Sequence, residues 1–171
     1  YFSFVQADIE SGPEKAGGAM GVVTAMLLER YRSGKTPLAL VSMDNCSQNG
    51  SLLRSAVLTM TDEWLKRGYV DEGFAAYVRD ENIIAFPWTM IDKITPRPNP
   101  DIAADLEKLG VEDIRPVETS RRTYIAPFVN GEDPQYLVIE DRFPNGRPAL
   151  EKGKGVYMGE RETVNKSERM K

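Results

Sequence analysis

The chain contains no histidine and only one cysteine, Cys46. Without histidine it cannot form a histidine-dependent catalytic triad or a histidine-based zinc site from its own side chains. A single cysteine cannot close an internal disulfide, which is typical of proteins in a reducing compartment. We therefore expect a cytoplasmic protein with no metal site.

Long apolar runs and basic stretches are also missing. No run approaches the roughly 18 apolar residues that span a bilayer. Tyr1–Glu10 lacks the basic start and small-residue cleavage site of a signal peptide. The net charge is −4 and the pI is near 5.1, without the basic stripe of a nucleic-acid binder. We expect neither a membrane nor a nucleic-acid partner, whereas 171 residues, 41% hydrophobic, suffice for a globular domain with a core.

The segment Leu38–Gly50 begins as an uninterrupted apolar run and ends in a polar cluster. Such a run is typical of a strand covered on both faces of a parallel sheet, and Ile83–Pro96 reaches a similar edge. Because ligands bind beyond the carboxyl ends of such strands, we expect Asp44 and Asn45 at a ligand-binding edge. The alternative is that Asn45 and Asn49 merely turn the chain and cap the next helix.

Hydrophobic periodicity predicts an α/β fold in which a parallel first half is followed by a mixed sheet with flanking helices. Asn130–Gly131 is a turn signal that permits a hairpin between its flanking segments. A helix is expected from about Thr163, with Thr163 as its N-cap. The other predicted helices cover 20–32, 51–68, 72–79 and 101–109, and the predicted strands cover 1–5, a run from 38, 83–86, 114–118, 123–128 and 135–140.

The segment Ala16–Gly21 is one residue short of a dinucleotide fingerprint, since Ala16 stands where the first glycine belongs. The fingerprint needs a strand immediately before the turn, so that backbone amides at the helix start meet a pyrophosphate. Pro13–Lys15 precede it instead, which favours a loop that enters a helix over a phosphate site.

Two motifs in order resemble the polyol-specific long-chain dehydrogenases. Ser42–Gly50 has the pattern Ser-x-Asp-Asn-x-x-x-Asn-Gly, and Phe86–Pro96 has the pattern Phe-Pro-x-x-Met-Ile-Asp-Lys-Ile-Thr-Pro. The family includes mannitol 2-dehydrogenase and the fructuronate and tagaturonate reductases, and the two motifs look closer to the uronate reductases. The resemblance covers about Ala19–Lys171, and three further stretches support it: Tyr124–Asn130, Gln135–Pro148 and Thr163–Lys171.

The resemblance implies a domain organisation. Residues 1–160 would be the second part of an NAD(P)-binding Rossmann-like domain, and 161–171 would open a helical substrate-binding domain. Members of the family are well over twice as long, so we expect this chain to be a fragment that is inactive alone. The family's glycine fingerprint, and the Asn and His that follow Lys171 in the family pattern, have no counterpart here.

The resemblance also implies a catalytic set of Lys171, Asn45 and Glu168. Lys171 would be the acid/base, because burial beside a charged nicotinamide lowers a lysine pKa from about 10.4 toward neutrality. Asn45 would donate to the developing oxyanion. Glu168 would relay the proton to solvent. The alternatives are a surface lysine at a frayed terminus and an ordinary ion pair between Glu168 and Lys171.

The remaining implied contacts concern the ligands. Ser42 and Asn45 would contact the cofactor, NAD or NADP, and Ile91 and Asp92 would line the substrate pocket with Asn45 and Lys171. The alternative for Asp92 is a local turn contact. The expected partner is a small-molecule sugar acid or polyol, and the sequence leaves the oligomeric state undetermined.

Two classes of function follow. The first is a zinc-independent NAD(P)-dependent oxidoreductase that interconverts a keto sugar acid or ketose and its alcohol, of the mannonate/fructuronate, altronate/tagaturonate or mannitol/fructose type. The second is a non-catalytic α/β module that binds a nucleotide or another protein. A hydrolase using Glu140 and Asp141 is disfavoured, because adjacent strand residues point to opposite faces. The sequence favours the oxidoreductase.

Overall fold

The helices and strands belong to two compact units, Tyr1–Ile91 with Leu137–Lys171, and Asp92–Tyr136. The structure, a computed structural model, describes residues 2–92, 98–129, 131 and 136–169. The helices are α1 (Ser3–Ser11), α2 (Ala19–Arg32), α3 (Asn49–Lys66), α4 (Glu72–Arg79), α5 (Pro100–Lys108) and α6 (Arg161–Glu168). The strands are β1 (Leu38–Ala39), β2 (Ile84–Ala85), β3 (Thr89–Asp92), β4 (Val117–Glu118), β5 (Tyr124–Ile125), β6 (Tyr136–Glu140) and β7 (Val156–Gly159).

The two apolar segments of the first half form a parallel pair. Leu38 of β1 lies opposite Ile84 of β2, and the Leu40 amide extends the ladder by donating to the Ala85 carbonyl at 2.9 Å. Their carboxyl ends therefore meet at one edge, as predicted. The prediction of a strand covered on both faces is correct for β2, which is buried, and wrong for β1, which is half-buried.

The second half supplies a three-stranded sheet in the order β3-β6-β7, in which β6 and β7 are parallel, and an antiparallel pair of β4 and β5. The predicted mixed α/β architecture is confirmed. The hairpin that the Asn130–Gly131 turn signal permitted is not formed by the described strands, because β5 pairs with β4 while β6 lies between β3 and β7. Asn130 itself lies outside the described residues.

The main core lies where α2, α3 and α4 pack beside the β1–β2 pair. Leu27, Val57, Phe74, Val78 and Ile84 are buried in one cluster there. Side chains of this kind contribute about 1.5–3 kcal/mol each when fully buried. Helix α4 begins at a conventional cap, because the Asp71 carboxylate accepts from the Phe74 amide at 2.7 Å. These helices match the predicted ranges within two residues.

Two predictions at the ends of the chain are wrong. The segment predicted as a strand from Tyr1 to Val5 belongs to α1 from Ser3 onward, while Tyr1 lies outside the described residues. Burial decides this, since Ile9 packs with Met60 and Trp64 on one face of the helix. Helix α6 begins at Arg161, with Glu160 in the capping position, so Thr163 is inside the helix and its amide bonds to the Glu160 carbonyl.

Strand β7 was not among the predicted strands. It has one exposed and three half-buried residues, and it follows a glycine-rich segment. Its pairing with β6 gives it its conformation, because a segment with so little buried surface carries a weak strand pattern. Among the described residues, no helix has both the length and the apolarity to cross a membrane.

Candidate functional site

The loop between β1 and α3, residues 40–48, leaves the carboxyl edge of the parallel pair and carries Asn45. Its anchor is Asn49, the first residue of α3, which is only 1% exposed. The Asn49 Nδ2 donates its two hydrogens to the Asp44 carbonyl and to Thr89 Oγ1, at 2.8 Å each, and shares one of them with the Ser42 carbonyl at 3.3 Å. We call this arrangement the Asn49–Thr89 hub.

Thr89 completes the hub from the first position of β3. Its amide donates to Asn49 Oδ1 at 3.0 Å, and its hydroxyl donates to the Ser42 carbonyl at 2.6 Å while accepting from Asn49. Thr89 is also only 1% exposed. Because hydrogen bonds are stronger in a low-dielectric interior, this network fixes the loop firmly to β3.

The hub tests one of the two readings of the asparagines, in which Asn49 caps the next helix. Gln48 occupies the capping position of α3, in a left-handed conformation with φ of 55°. The side chain of Asn49 bonds backward to the loop and across to β3, so the capping interpretation is wrong for Asn49. Asn45 is exposed on the loop, three residues before the capping position.

Gly50 allows α3 to start this close to the connection between β2 and β3. A Cβ at this position would lie 2.5 Å from the Phe86 carbonyl oxygen and 2.8 Å from that of Pro87. Those separations are far below van der Waals contact, so only glycine fits the backbone approach. The Asn49–Gly50 pair thus serves packing as well as the loop.

Helix α6 reaches the same loop with its last residue. Glu168 Oε2 accepts from the Ser47 hydroxyl at 2.7 Å, and Oε1 accepts from the Gln48 amide at 3.1 Å. These donors stand two and three residues after Asn45. A carboxylate near the start of α3 is also favoured by the helix dipole. Lys171 lies outside the described residues, so the alternative of a Glu168–Lys171 ion pair stays a prediction.

The other end of α6 is fixed by a buried carboxylate. Glu140, 6% exposed, accepts from Arg161 Nε at 3.1 and 3.2 Å and from the Trp88 amide at 3.0 Å. The Arg161 guanidinium also lies 5.2 Å above the Trp88 ring. Between the two ends, Val164 is buried against Met90 and its neighbours. Helix α6 is therefore held at its first residue, its middle and its last residue.

The structure places the predicted site residues as follows. Ser42 and Asn45 lie on the loop after β1, and Glu168 of α6 bonds to Ser47 and Gln48 of the same loop. The Ser42 hydroxyl accepts from the Asp44 amide at 3.4 Å. Ile91 is half-buried two residues after Thr89, on the same face of β3. The Asp92 side chain and Lys171 lie outside what the structure describes, so their predicted convergence with Asn45 stays a prediction.

The sequence reading missed the hub residues Asn49 and Thr89. The available signal was the pair of polar residues at the edge where two apolar strands end.

Within the described part of the chain, no three His, Cys, Asp or Glu side chains are grouped as metal ligands would be.

The backbone amides of the glycine segment before α2 already bind a side chain of the protein itself. The Asp8 carboxylate, 5% exposed, accepts from the Gly17 and Gly18 amides at 2.9 Å each. A Cβ on Gly21 would lie 2.3 Å from Asp8 Oδ2. The glycines make room for this carboxylate, and the amides that a phosphate would need are already used. The interpretation as a loop that enters a helix is confirmed.

A second charged group follows β6. Arg147 donates to both oxygens of Asp141, with Nε–Oδ1 and Nη2–Oδ2 distances of 2.8 Å, and it also pairs with Glu151. The hydrogen bonds from Arg147 hold the pKa of Asp141 below its ordinary value, because they favour the charged carboxylate. The two hydrogen bonds from Arg147 to Asp141 hold the loop that follows β6, within the Gln135–Pro148 motif.

The family model described as the mannitol dehydrogenase Rossmann domain matches residues 7–152 of this chain. The chain belongs to the mannitol dehydrogenase family. Its curated relatives include the D-mannonate oxidoreductase of Thermotoga maritima, 51% identical over 99% of this chain. The mannitol 2-dehydrogenase of Cereibacter sphaeroides is 34% identical over 82%. The resemblance inferred from the motifs is thereby confirmed.

Solved structures support the fold of this mannitol dehydrogenase family chain. A D-sorbitol dehydrogenase in substrate-free form is 31% identical over 94% of the chain, with a TM-score of 0.69. The Pseudomonas fluorescens mannitol 2-dehydrogenase, in a ternary complex with NAD and D-mannitol, is 25% identical over 99%, with a TM-score of 0.73. The chain spans 25% to 31% of the lengths of these four relatives.

Proposed function

We propose that the complete protein is an NAD(P)-dependent, zinc-independent oxidoreductase that interconverts D-mannonate and its keto acid, fructuronate. The altronate/tagaturonate and mannitol/fructose pairs are the alternative substrates. The observation that carries the proposal is the contact between the end of α6 and the Asn45 loop, through Glu168, Ser47 and Gln48. The choice of mannonate is supported by the 51% identity to a D-mannonate oxidoreductase.

The residues present fit one part of a dinucleotide site. NAD(P), when bound, accepts a hydride from the alcohol carbon or returns it to the ketone. Ser42 and Asn45 lie at the carboxyl edge of β1, where α/β domains bind such ligands, and we assign them to the cofactor. The Ala16–Gly21 segment does not fit the pyrophosphate, because Asp8 already accepts from its amides. The support for NAD is a solved relative in complex with NAD and D-mannitol.

Asn45 is assigned to the oxygen that becomes a ketone. A neutral side-chain amide can donate to that oxygen as negative charge develops on it, without changing its own protonation state. A preorganised donor of this kind is worth about 3 kcal/mol of transition-state stabilisation. Ile91 and Asp92 are assigned to the substrate pocket beside it, where the Asp92 carboxylate would accept a sugar hydroxyl.

Lys171 is assigned the role of the acid/base that transfers the hydroxyl proton. In oxidation its neutral amine takes the hydroxyl proton, and in reduction its ammonium returns that proton. Glu168 is assigned to the relay between Lys171 and solvent. Its carboxylate has about four lone-pair positions, and Ser47 and Gln48 use two of them. In the proposed relay, Lys171 and a water would use the other two.

The proposal places the enzyme in the cytoplasm, with a sugar acid or polyol as its small-molecule partner. The support for the compartment is Cys46, the chain's single cysteine.

The test is an activity measurement on the full-length gene product. It is supplied with D-mannonate, D-altronate or D-mannitol and with NAD⁺ or NADP⁺, and formation of the reduced cofactor is followed by its absorbance. We expect turnover of D-mannonate to exceed that of the other substrates. Absence of turnover with every substrate and both cofactors would remove the oxidoreductase assignment in favour of a binding module.

Lys171→Ala tests the acid/base in the same protein. We expect kcat to fall by about 10²–10⁴-fold, because a positioned general acid–base contributes that much, and external primary amines to restore part of it. Lys166→Ala is the matched control, because Lys166 lies on α6 in an exposed pair with Glu162. A kcat near that of the unmodified enzyme in Lys171→Ala would remove the lysine from its role.

A further inference from the structure

We propose that the Asn49–Thr89 hub positions Asn45 for catalysis, which makes Asn49 and Thr89 positioning residues of the proposed dehydrogenase. The inference rests on the proposed function in one respect, the role of Asn45. Neither hub residue needs to touch substrate or cofactor, because both act on the backbone that carries Asn45.

The hub fixes the chain immediately before Asn45. Asn49 Nδ2 donates at 2.8 Å to the carbonyl of Asp44, which belongs to the same planar peptide group as the Asn45 nitrogen. The Ser42 carbonyl is held by two donors, Asn49 Nδ2 and Thr89 Oγ1. The direction from which the chain enters Asn45 is therefore set by two buried side chains on α3 and β3.

The position of Asn45 relative to β3 follows from the same bonds. Thr89 is bound to Asn49 through both its amide and its hydroxyl, so the loop and the strand that carries Ile91 move as one unit. An oxyanion donor must be preorganised at the position that the charge will occupy, and a displacement of about 1 Å costs on the order of 10²-fold in rate. A buried hub of this kind supplies that rigidity.

The chemistry of each hub residue is specific. Asn49 must donate and accept at once, which aspartate cannot do, since a carboxylate would face the Ser42 and Asp44 carbonyls without hydrogens. Thr89 must accept from Asn49 and donate to Ser42 through a single hydroxyl. Valine has the shape of threonine but lacks that hydroxyl, whereas serine keeps it.

The experiment compares Thr89→Val, Thr89→Ser and Thr61→Val in the full-length protein. Thr61 is the matched control, because it is a fully buried threonine whose hydroxyl donates to the Val57 carbonyl within α3, at 2.8 Å. We expect Thr89→Val to lower kcat by about 10²-fold, and Thr89→Ser to recover most of that loss. Thr61→Val should change kcat less than twofold and leave the KM for the cofactor unchanged.

A double-mutant cycle separates positioning from a general loss of stability. In an Asn45→Ala background, Thr89→Val should have less than a threefold further effect, because the group that it positions is gone. Additive losses would overturn the proposal, as would an equal loss in Thr61→Val.

Hydrogen–deuterium exchange gives a readout that does not depend on activity. Amides of residues 42–48 should exchange at least tenfold faster in Thr89→Val than in the unmodified protein, and unchanged in Thr61→Val. Unchanged exchange in Thr89→Val would overturn the proposal even if activity falls. Faster exchange in a protein without dehydrogenase turnover would contradict the proposed function while leaving the hub as the anchor of this loop. Asn49→Asp should repeat the exchange result through a different residue.

Discussion

At the scale of single residues, Gly50 controls how closely α3 can approach the chain after β2. Gly50→Ala would place a Cβ 2.5 Å from the Phe86 carbonyl oxygen and 2.7 Å from Trp88 Cδ1. Neither a backbone carbonyl nor a buried indole can withdraw without shifting the strand or the helix. We expect the free energy of unfolding to fall by about 1–3 kcal/mol, measured by urea denaturation.

Gly17→Ala is the matched control for that measurement. A Cβ on Gly17 meets nothing within 4 Å, and the alanine keeps the amide that donates to Asp8. We expect its unfolding free energy to stay within about 0.5 kcal/mol of the original. Equal losses in both variants would show that general glycine effects, not the Phe86 contact, govern the result.

Asp8 is the second residue with a defined role outside the proposed site. Asp8→Ala would leave the Gly17 and Gly18 amides without their carboxylate acceptor in a part-buried position. We expect a loss of about 1–3 kcal/mol in unfolding free energy, because buried donors without a partner carry a desolvation cost. Glu14→Ala, at an exposed carboxylate, serves as the control and should be near neutral in the same denaturation. A near-neutral Asp8→Ala would show that the hydrogen bonds from the Gly17 and Gly18 amides to Asp8 do not stabilise the fold.

At the scale of elements, the stability that the loop after β6 gives to the fold is expected to depend on pH, because Asp141 titrates while it is bonded to Arg147. The pKa of Asp141 is lowered in the folded protein by the hydrogen bonds from Arg147. Its stabilising contribution is therefore complete above the unfolded pKa, about 3.9, and is lost as pH falls through the lower folded pKa. Arg147→Met should destabilise the protein at neutral pH, and the difference from the original should shrink in acid. Thermal melts at several pH values measure it.

Lys166→Met provides the comparison, since it removes one charge from an exposed pair with Glu162 on α6. Such pairs contribute little, whereas Arg147 bonds both oxygens of Asp141. A pH-independent effect of Arg147→Met would show that packing of the long side chain, not the titration of Asp141, stabilises the loop.

The elements also show which parts of the fold the sequence could predict. Helix α3 was predicted because Val57, Met60 and Trp64 repeat at helical spacing. The structure buries all three. Helix α1 and strand β7 were not, because each is defined by a partner distant in sequence. Ile9 packs against α3, and β7 pairs with β6. Patterns within a short window carry no information about such partners.

At the scale of the whole molecule, the chain spans less than a third of the length of its relatives. We expect the isolated 171-residue chain to show no turnover of D-mannonate with either cofactor, under conditions where the full-length protein is active. The resemblance implies a glycine fingerprint, an Asn and a His that have no counterpart in these 171 residues. Turnover by the isolated chain, measured after removal of every other protein, would contradict this division of the site.

The candidate site was predictable to a limited depth. The resemblance predicts Asn45 and Glu168, and the structure places Asn45 on the loop whose residues Ser47 and Gln48 bond to Glu168 of α6. It did not identify Thr89, because the partner of a buried hydroxyl 40 residues away cannot be read from local spacing. The roles of Lys171 and the Asp92 side chain at the site stay predictions.

The hub has a chemical consequence for the ageing of the protein. Asn49 is followed by Gly50. In a flexible chain the Gly50 backbone nitrogen can attack the Asn49 side-chain carbonyl carbon and expel ammonia, and water then opens the resulting succinimide to aspartate or isoaspartate, which makes such asparagines thermolabile. The folded state suppresses this reaction, since that amide is engaged with Asp44 and Thr89 inside a helix start. Each excursion to the unfolded chain removes that protection. Prolonged heating should therefore convert a fraction of Asn49 to a carboxylate, which cannot donate to the Ser42 and Asp44 carbonyls. Cooling does not reverse this conversion.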